Sequence, residues 1–364
     1  MANRLFSAFL LGIFRYFFSV KSISKPGPIN PKSILVVRQH NQLGDMLVGS
    51  SLLTALKENY PDAKITFIAS PQNAAALENN RLIDSLFIYN KKLLLSFKYI
   101  KSIWTVLRTR YDLCLSPATV SISFTNDFLA RLSKSKLRIG VDELDGKKNK
   151  YDFFFNIGVT INADNTNTKH IAEKILAILI PLNITTANLF PRIFPSDSDN
   201  SIASDFLQNA NRPPDSLVIG IHAGAGKPPN RWNAENFISL IKLLIENFNA
   251  FIYLTASDAD MDIINNIQSA FKDEPKPVFL NKSIGSVAAL ISKSDLFITN
   301  DTGIMHVAAS TNTKQISLFG PTNPKEWAPT GVNKHYLNNG ESINIISVSE
   351  VYNLAKQLLR KDIQ

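Results

Sequence analysis

The sequence contains two successive runs in which short apolar strands alternate with helices, and this repetition restricts the fold more than any other feature. The strand patterns are residues 33–38, 65–69 and 111–116 in the first run, then 217–222, 250–255, 296–299 and 315–319 in the second. Alternating strands and helices are typical of parallel α/β sheets. We therefore predict an α/β protein with two Rossmann-like, doubly wound domains facing a central cleft, with ligands at the carboxyl ends of the strands.

The length of 364 residues fits two domains, because globular domains commonly contain about 100–200 residues. A polar stretch with prolines at 190–199 is the predicted linker. The predicted parts of the chain are a basic amphipathic segment at 1–30, an N-terminal domain at 31–190, a C-terminal domain at 200–345 and a C-terminal helix at 346–364. Helices are predicted at 47–59, 92–108, 169–182, 234–248 and from a capping box at Ser347 and Glu350 to about residue 360.

The charge balance predicts an anionic partner. The chain has 39 Lys and Arg against 30 Asp and Glu, a net charge of +9. Nucleic acid, a membrane surface and an acidic small molecule all meet that description. The sequence has no zinc finger, RNA-recognition signature or arginine-rich recognition helix, so no nucleic-acid partner is expected. The single cysteine, Cys114, excludes a disulfide framework and a thiolate metal cluster.

Part of the positive charge lies in the first 30 residues, which contain no acidic side chain. Their bases are Arg4, Arg15, Lys21 and Lys25. Large apolar side chains fall at 5, 6, 9, 10, 13, 14, 17 and 18, which is one face of a helix. Arg15 makes the stretch too short for a spanning helix. The pattern favours a helix in the membrane interface, and the alternatives are a helix packed on the protein body or a mobile end.

A second basic and apolar stretch follows at residues 91–107. Its apolar side chains repeat with helical spacing at Leu93, Phe97, Ile100, Trp104 and Leu107. This spacing predicts a helix with that stripe buried and with its lysines on a solvated face.

Three loops at predicted strand ends contain the candidate functional residues. In the first, Arg38 ends a strand, and Gly44 and Asp45 precede a helix. Gly44 is expected to allow an unusual backbone turn. Asp45 has two interpretations, a helix N-cap carboxylate or a general base in the cleft.

The other two loops belong to the second run. Residues 222–232 combine His222 and the small residues around Gly224 with the bases Lys227 and Arg231, a composition that suits a diphosphate. Residues 299–309 contain a polar turn with Asp301, Thr302 and Gly303, followed one helical turn later by His306. Amides at the start of that helix are candidates for binding phosphate oxygens, although a single helical histidine is more often structural.

Two short acidic motifs, at 197–199 and 258–260, match a motif that binds metal in some sugar transferases. Matches of three residues arise by chance, and the first lies in the predicted linker. Because basic side chains are available for the phosphates, we expect no metal and no cofactor.

Together these segments resemble glycosyltransferase family 9, the lipopolysaccharide heptosyltransferases. The resemblance covers most of residues 33–335, in the family's order. The matching blocks are residues 34–38 with Leu43-Gly44-Asp45, His222-Ala223-Gly224-Ala225 with Arg231-Trp232, Leu254-Thr255, Asn300-Asp301-Thr302-Gly303 through Ala309, and Leu318-Phe319-Gly320-Pro321-Thr322-Asn323-Pro324.

The resemblance implies a GT-B fold and an inverting, metal-independent transferase. The first domain would bind the acceptor, an anionic lipid-linked glycan, through Arg38 and Gly44, with Asp45 as the base. The second would bind the nucleotide-sugar donor, most simply ADP-heptose. Its implied donor-binding residues are His222, Gly224, Lys227, Arg231, Asp260, Asp301, Thr302, Gly303 and His306. The implied location is cytoplasmic and peripheral, on the inner face of the bacterial inner membrane.

The chain departs from the family pattern at several positions. Asn230 stands where the family has a lysine toward the donor phosphates, so Lys227 or Arg231 would replace it. Ala256 and Ser257 replace a glycine pair, which leaves the nucleotide base open. The alternative is a catalytically degenerate relative that binds glycolipid or nucleotide without turnover. A Rossmann dehydrogenase is disfavoured because no GxGxxG motif follows either first strand.

Overall fold

The computed structural model describes residues 11–39, 42–162, 170–271 and 276–360. The chain divides into two compact units, Met1–Leu189 and Phe190–Gln364. Each unit contains one largely parallel sheet with helices on both faces. The predicted class, α/β with two Rossmann-like domains, is confirmed.

The first sheet has seven strands in the order β3-β2-β1-β4-β5-β6, with β7 paired to β5. Its strands are β1 Ser33–Val37, β2 Lys64–Ala69, β3 Ser85–Ile88, β4 Arg110–Ser116, β5 Lys134–Leu144, β6 Lys147–Lys148 and β7 Ile157–Ile161. Only the β5–β6 pair is antiparallel among the described strands. The chain order reverses between β1 and β4, which is where an open α/β sheet binds its ligand.

Alternation along β1 gives each face of this sheet its own core. Ile34 and Val36 belong to one apolar cluster, and Leu35 and Val37 belong to another. The α-helices of the unit are residues 11–18, Leu43–Val48, Ser50–Asn59, Ala74–Leu77, Phe97–Arg108, Phe124–Leu132 and Ile171–Lys174. Its 3₁₀ turns are Pro71–Asn73, Lys91–Leu93, Asp152–Phe154 and Ile175–Leu182.

The second sheet has six parallel strands in the order β10-β9-β8-β11-β12-β13. They are β8 Leu217–His222, β9 Ala250–Thr255, β10 Val278–Leu280, β11 Leu296–Asn300, β12 Lys314–Phe319 and β13 Lys334–Asn338. Here the order reverses between β8 and β11. The α-helices are Asp197–Asn209, Ala234–Phe248, Met261–Ser269, Ile284–Ile291, Gly303–Ala309, Pro324–Trp327 and Val348–Arg360. The 3₁₀ turns are Pro228–Asn230, Asp258–Asp260 and Ile343–Ile345.

The C-terminal helix packs on the second unit. Val351, Ala355 and Leu358 are buried in the core that also contains Leu240 and Leu244 of the helix Ala234–Phe248. Its predicted capping box is present, because Glu350 accepts a hydrogen bond from the Ser347 amide and Ser347 Oγ accepts one from the Glu350 amide.

Three predicted element boundaries are wrong for local reasons. The helix predicted at 47–59 is two helices, because Gly49 caps the first and precedes the second. The helix predicted at 169–182 is a short α-helix followed by 3₁₀ turns that contain Pro181, and residue 169 lies outside the described residues. The predicted linker ends early, because Ser196 caps the helix Asp197–Asn209.

The N-terminal amphipathic segment is described from residue 11 onward, so Arg4 and the apolar residues 5–10 lie outside the described residues. Residues 11–18 are helical, and Phe14 and Phe18 pack against Phe128 in the core of the first unit. Arg15 forms a 3.0 Å ion pair with Asp152. In the described part of the segment, the helix therefore packs on the protein body along one side, as the packed-helix alternative predicts.

The buried stripe predicted for residues 93–107 is wrong except at Leu107, which is buried. The helix Phe97–Arg108 begins at the cap Ser96, and it packs on the sheet through Ile103 and Leu107. Phe97 is 82% exposed and Trp104 is 52% exposed. Two apolar stripes share this helix, and helical spacing alone does not tell which of them faces the sheet.

None of the helices in the described ranges is both long and apolar enough to cross a bilayer.

Candidate functional site

The first candidate site lies where the chain order of the first sheet reverses. Arg38 directly follows β1, Asp45 is the third residue of the helix Leu43–Val48, and Thr119 follows β4. Arg38 Nη2 lies 3.1 Å from Asp45 Oδ1, and Thr119 Oγ1 donates a 2.6 Å hydrogen bond to the same oxygen. The Arg38 guanidinium also donates to the Asp45 backbone carbonyl and to Thr119 Oγ1. These contacts fix one carboxylate orientation.

Both charged side chains of this pair are buried. The side chain of Arg38 is 4% exposed and that of Asp45 is 0% exposed. A Cβ placed on Gly49 would lie 2.8 Å from Arg38 Nη1, so a side chain at position 49 would collide with the guanidinium. Glycine at this position leaves the room that the buried arginine occupies.

The helix start differs from both local expectations. The N-cap is Gln42, so the interpretation of Asp45 as the N-cap carboxylate is wrong. Gly44 is the second residue of the helix, so the unusual backbone turn predicted for it is also wrong. Asp45 nevertheless lies in the first helical turn, where backbone amides stabilise a negative charge.

A pocket of about 260 Å³ adjoins the buried pair. Arg38 and Thr119, which both contact the Asp45 carboxylate, form part of its wall. The lining is mainly small and polar, and consists of Arg38, Gln39, Gln42, Pro117, Ala118, Thr119, Ser121, Ser123 and Asn126. Hydroxyl and amide groups of this kind suit a polyhydroxylated ligand.

A second buried acid, Asp127, directly follows the pocket-lining residue Asn126 in the sequence. It accepts hydrogen bonds from Ser116 Oγ at 2.9 Å and from Asn149 Nδ2 at 2.8 Å. Burial raises the pKa of Asp127 to about 7, although both hydrogen bonds oppose the increase. Asp127 therefore binds its proton much more tightly than an exposed aspartate does.

The second candidate site lies at the corresponding reversal of the other sheet. His222 ends β8 and is buried, with Nδ1 3.0 Å from Thr255 Oγ1 at the end of β9. Burial lowers the pKa of His222 to about 4, although the Asp260 carboxylate acts in the opposite direction. A neutral imidazole therefore stands at the base of the loop 222–232 at neutral pH.

Arg231 and Asp260 form the ion pair of this site, at 2.7 Å. The Arg231 side chain is 33% exposed, whereas that of Asp260 is 5% exposed. Arg231 Nε also donates to the Ala225 carbonyl, which ties the loop to itself. A Cβ on Gly224 would lie 2.5 Å from the Asp260 carboxyl carbon, so glycine is required for this close approach.

Asn230 is buried and bonded to other protein groups. Its Nδ2 donates to Asp301 Oδ2 at 2.8 Å and to Thr322 Oγ1 at 3.4 Å. Burial raises the pKa of Asp301, while the Thr322 hydroxyl and the nearby charge of Lys227 lower it. Lys227 itself is exposed. Of the two bases in this loop, Lys227 is the one more open to solvent.

The polar turn after β11 begins a seven-residue helix, Gly303–Ala309. Thr302 is its N-cap, and the Thr302 hydroxyl makes no capping hydrogen bond within the described part of the chain. His306 is buried on this helix, with its ring 6.4 Å from that of Trp327. Burial on the helix agrees with the structural interpretation of His306.

Two residues that organise these sites are not among the predicted site residues. Thr119 lies in a loop without a recognisable motif, so only its contact with Asp45 identifies it. Asn300 is fully buried, and its Nδ2 donates to the Ala223 carbonyl across the β8–β11 reversal. Asn300 stands directly before the predicted site residue Asp301, and this position is the sequence signal that could have identified it. It ties the two loops of the second site together.

The two acidic motifs have local structural roles. Asp199 belongs to the capping box of its helix, and Asp260 pairs with Arg231. In the ranges that the structure describes, no group of three or more His, Cys, Asp and Glu side chains is arranged to hold a metal ion.

The chain is similar to known proteins of one glycosyltransferase family. Residues 100–352 match the model of glycosyltransferase family 9 (heptosyltransferase). Lipopolysaccharide heptosyltransferase 3 of Escherichia coli K12 is 26% identical over 347 residues, covering 88% of this chain and 96% of that protein.

Two solved structures share the fold. A glycosyl transferase of family 9 from Veillonella parvula superposes with a TM-score of 0.79 at 20% identity, covering 92% of this chain and 99% of that one. E. coli heptosyltransferase WaaC with ADP-2-deoxy-2-fluoro heptose gives a TM-score of 0.66 at 17% identity, covering 89% and 99%.

Proposed function

This chain belongs to glycosyltransferase family 9, the heptosyltransferase family, and from that premise we propose that it transfers heptose from ADP-heptose to a lipopolysaccharide core or related lipid-linked glycan. The transfer proceeds with inversion and without a metal ion. The observation that carries this proposal is the Asp45 carboxylate, held by Arg38 and Thr119 beside a polar pocket. The names of the relatives support the donor and acceptor classes.

In this mechanism Asp45 is the general base. It takes the proton of an acceptor hydroxyl bound in the polar pocket while the hydroxyl oxygen attacks the anomeric carbon of the donor. The bond between that carbon and the diphosphate oxygen breaks at the same time, so the configuration inverts. Arg38 and Thr119 act as positioning residues, because their contacts with Asp45 Oδ1 hold the carboxylate in one orientation.

The second unit binds the donor and stabilises the departing diphosphate. Lys227 supplies a positive charge where the family lysine is replaced by Asn230, and Arg231 assists from its pair with Asp260. Thr302 and the amides from Gly303 onward supply hydrogen bonds to phosphate oxygens. His222 and Gly224 shape the loop, Asp260 and Asp301 orient its bases, and His306 supports the helix behind it.

The proposed location follows from the acceptor. A lipid-linked glycan is made at a bilayer, so the enzyme acts as a cytoplasmic protein on the inner face of the bacterial inner membrane. The proposed contact with anionic lipid is the acid-free segment 1–30, whose bases are Arg4, Arg15, Lys21 and Lys25.

A donor panel tests the reaction. Full-length protein is incubated with ADP-heptose and with other nucleoside-diphosphate sugars, using a deacylated core oligosaccharide as acceptor, with and without EDTA. We expect a product heavier by one heptose, with an anomeric configuration opposite to that of the donor, and equal rates in EDTA. Nucleotide binding without transfer across the panel would support the non-catalytic alternative that Asn230 suggests.

A further inference from the structure

The first unit carries an exposed apolar surface made of residues that belong to neither candidate site. Residues before and along the helix Phe97–Arg108 leave large apolar side chains in solvent. We name this surface the lysine-edged patch, and its apolar members are Leu93, Leu94, Leu95, Phe97, Ile100 and Trp104. Leu95 is fully exposed and Phe97 is 82% exposed. Contiguous apolar exposure on this scale marks an interaction surface rather than ordinary surface composition.

Helix geometry places the exposed side chains in one stripe. Phe97, Ile100 and Trp104 are spaced by three and four residues and share a side of the helix. Ile103 and Leu107, on the neighbouring side of the helix, are buried in an apolar cluster that also contains residues of the sheet. The patch is therefore an exposed side of a helix that packs on the sheet through other residues.

The charge around the patch has one sign. Residues 85–111 contain no acidic side chain and six basic ones, at Lys91, Lys92, Lys98, Lys101, Arg108 and Arg110. Within the described residues no ion pair involves the four lysines of this set. Arg108 lies over the Trp104 ring at 5.3 Å, so a cation borders the apolar stripe directly. An apolar stripe edged by unneutralised cations complements an anionic bilayer, whose headgroups bind the bases while its acyl region takes the apolar side chains.

The N-terminal helix extends the same side of the unit. Phe14 and Phe18 join the apolar cluster that also holds Ile103 and Leu107, so both helices cover one face of the first sheet. Tyr16 is 84% exposed and Phe17 is 69% exposed on the solvent side of that helix. Tyrosine and tryptophan side chains are favoured at membrane interfaces because each combines an apolar ring with a polar group, and Tyr16 and Trp104 are of this kind.

We propose that the lysine-edged patch docks the first unit on a bilayer that contains anionic lipid. The patch adds a second contact to the peripheral location proposed above, and it rests on that location. It is independent of the sugar that is transferred. Docking through a helix of the acceptor-binding unit also fixes the orientation in which that unit meets a lipid-linked acceptor.

Vesicle sedimentation tests the proposal. The full chain is mixed with vesicles of phosphatidylcholine alone or with 30% phosphatidylglycerol, and bound protein is measured in the pellet. We expect binding to the anionic vesicles, and a loss of about tenfold or more in Phe97→Ser/Trp104→Ser and in Lys98→Gln/Lys101→Gln. The matched controls are Val332→Ser/Ile345→Ser and Lys242→Gln/Lys293→Gln, which change exposed residues of the second unit and should bind as the parent does.

Fluorescence supplies a readout that misfolding would not reproduce. Anionic vesicles should shift the emission of exposed Trp104 to shorter wavelength, and Trp104→Phe should abolish that shift while retaining sedimentation.

Unchanged binding of both patch variants would overturn the proposal. Sedimentation velocity without vesicles gives a second test. If the parent chain is a dimer and both patch variants are monomers, the proposal is also overturned, because the patch then binds a second copy of the chain. Transfer to a deacylated acceptor by the patch variants separates a failure of docking from a failure of the proposed reaction.

Discussion

Each sheet of this protein places an Arg–Asp pair where its chain order reverses, and the two pairs differ in their access to water. Arg38 and Asp45 are both buried, and they come from one loop and the helix that follows it. Arg231 is one-third exposed, and its partner Asp260 comes from the loop after the neighbouring strand. A buried ion pair holds a carboxylate in one orientation, whereas a partly exposed arginine stays accessible to an incoming anion. The difference suits a base in the first unit and a phosphate site in the second.

The largest expected effect comes from removing the buried acid. We expect Asp45→Asn to lower the rate of sugar transfer by about 10²–10⁴-fold, which is the usual contribution of a general base. Nucleotide binding, measured by calorimetry with ADP, should stay unchanged because Asp45 lies in the other unit. Asp260→Asn is the matched variant, and it should affect nucleotide binding more than the chemical step. A fully active Asp45→Asn enzyme would remove Asp45 from the mechanism.

The next largest difference between the two ion pairs should appear in the free energy of unfolding. Arg38→Met should lower the free energy of unfolding by about 3–5 kcal/mol, because it leaves Asp45 buried without its counter-charge. Arg231→Met should cost about 1 kcal/mol or less, because water screens a partly exposed pair. Urea unfolding of both variants gives the comparison.

The double variant Arg38→Met/Asp45→Leu is the control for this comparison. It should recover part of the loss, since an apolar pair leaves no buried charge. Equal losses in the two single variants would mean that burial does not distinguish the pairs.

The units should also respond oppositely to pH. Burial raises the pKa of Asp127 to about 7, so its contribution to stability is complete below pH 4 and is lost as the pH rises toward 7. Burial lowers the pKa of His222 to about 4, so its contribution is present above pH 6.5 and is lost as the pH falls toward 4.

Two variants measure these opposed contributions. Relative to the parent, Asp127→Asn should gain stability as the pH rises from 4 to 7, and His222→Gln should gain stability as the pH falls over the same range. Each change should be on the order of 1–3 kcal/mol. Urea unfolding at pH 4, 5, 6 and 7 measures both slopes, and parallel curves for parent and variants would contradict the assignment.

The smallest effect tests how the second site compensates for Asn230. Lys227→Met should weaken ADP binding about tenfold, or about 1.4 kcal/mol, because one exposed charge toward the diphosphate is lost. The loss should shrink at high salt. Lys242→Met, an exposed lysine on a helix of the same unit, should leave the affinity unchanged. If Lys227→Met binds ADP as the parent does, Arg231 is the remaining base of the loop.

Much of the fold could be predicted because its signals are local. The strands at 33–37 and 217–222 are continuous apolar runs, and the helix Ala234–Phe248 has a strong amphipathic pattern. The capping box at Ser347 and Glu350 fixed the start of the last helix. The candidate loops could be located for the same reason, since each follows an apolar strand: two follow the strands just named and the third follows β11.

The missed features depend on contacts between distant segments. Thr119 reaches Asp45 across 74 positions, and Asn300 reaches Ala223 across 77. The choice between two apolar stripes on the helix Phe97–Arg108 depended on which one met the sheet. No local spacing contains that information.

By itself the sequence determined the two parallel sheets, the loops at their reversal points and the excess of positive charge, because strand runs, turn residues and side-chain charges are local properties. Only the tertiary structure decided how that charge is used. It buried Arg38 against Asp45, left Arg231 half open and Lys227 exposed, and turned the lysine-edged stripe of the helix Phe97–Arg108 toward solvent. The physical reason is that burial is set by which elements pack together, and packing brings into contact residues that are far apart in the chain.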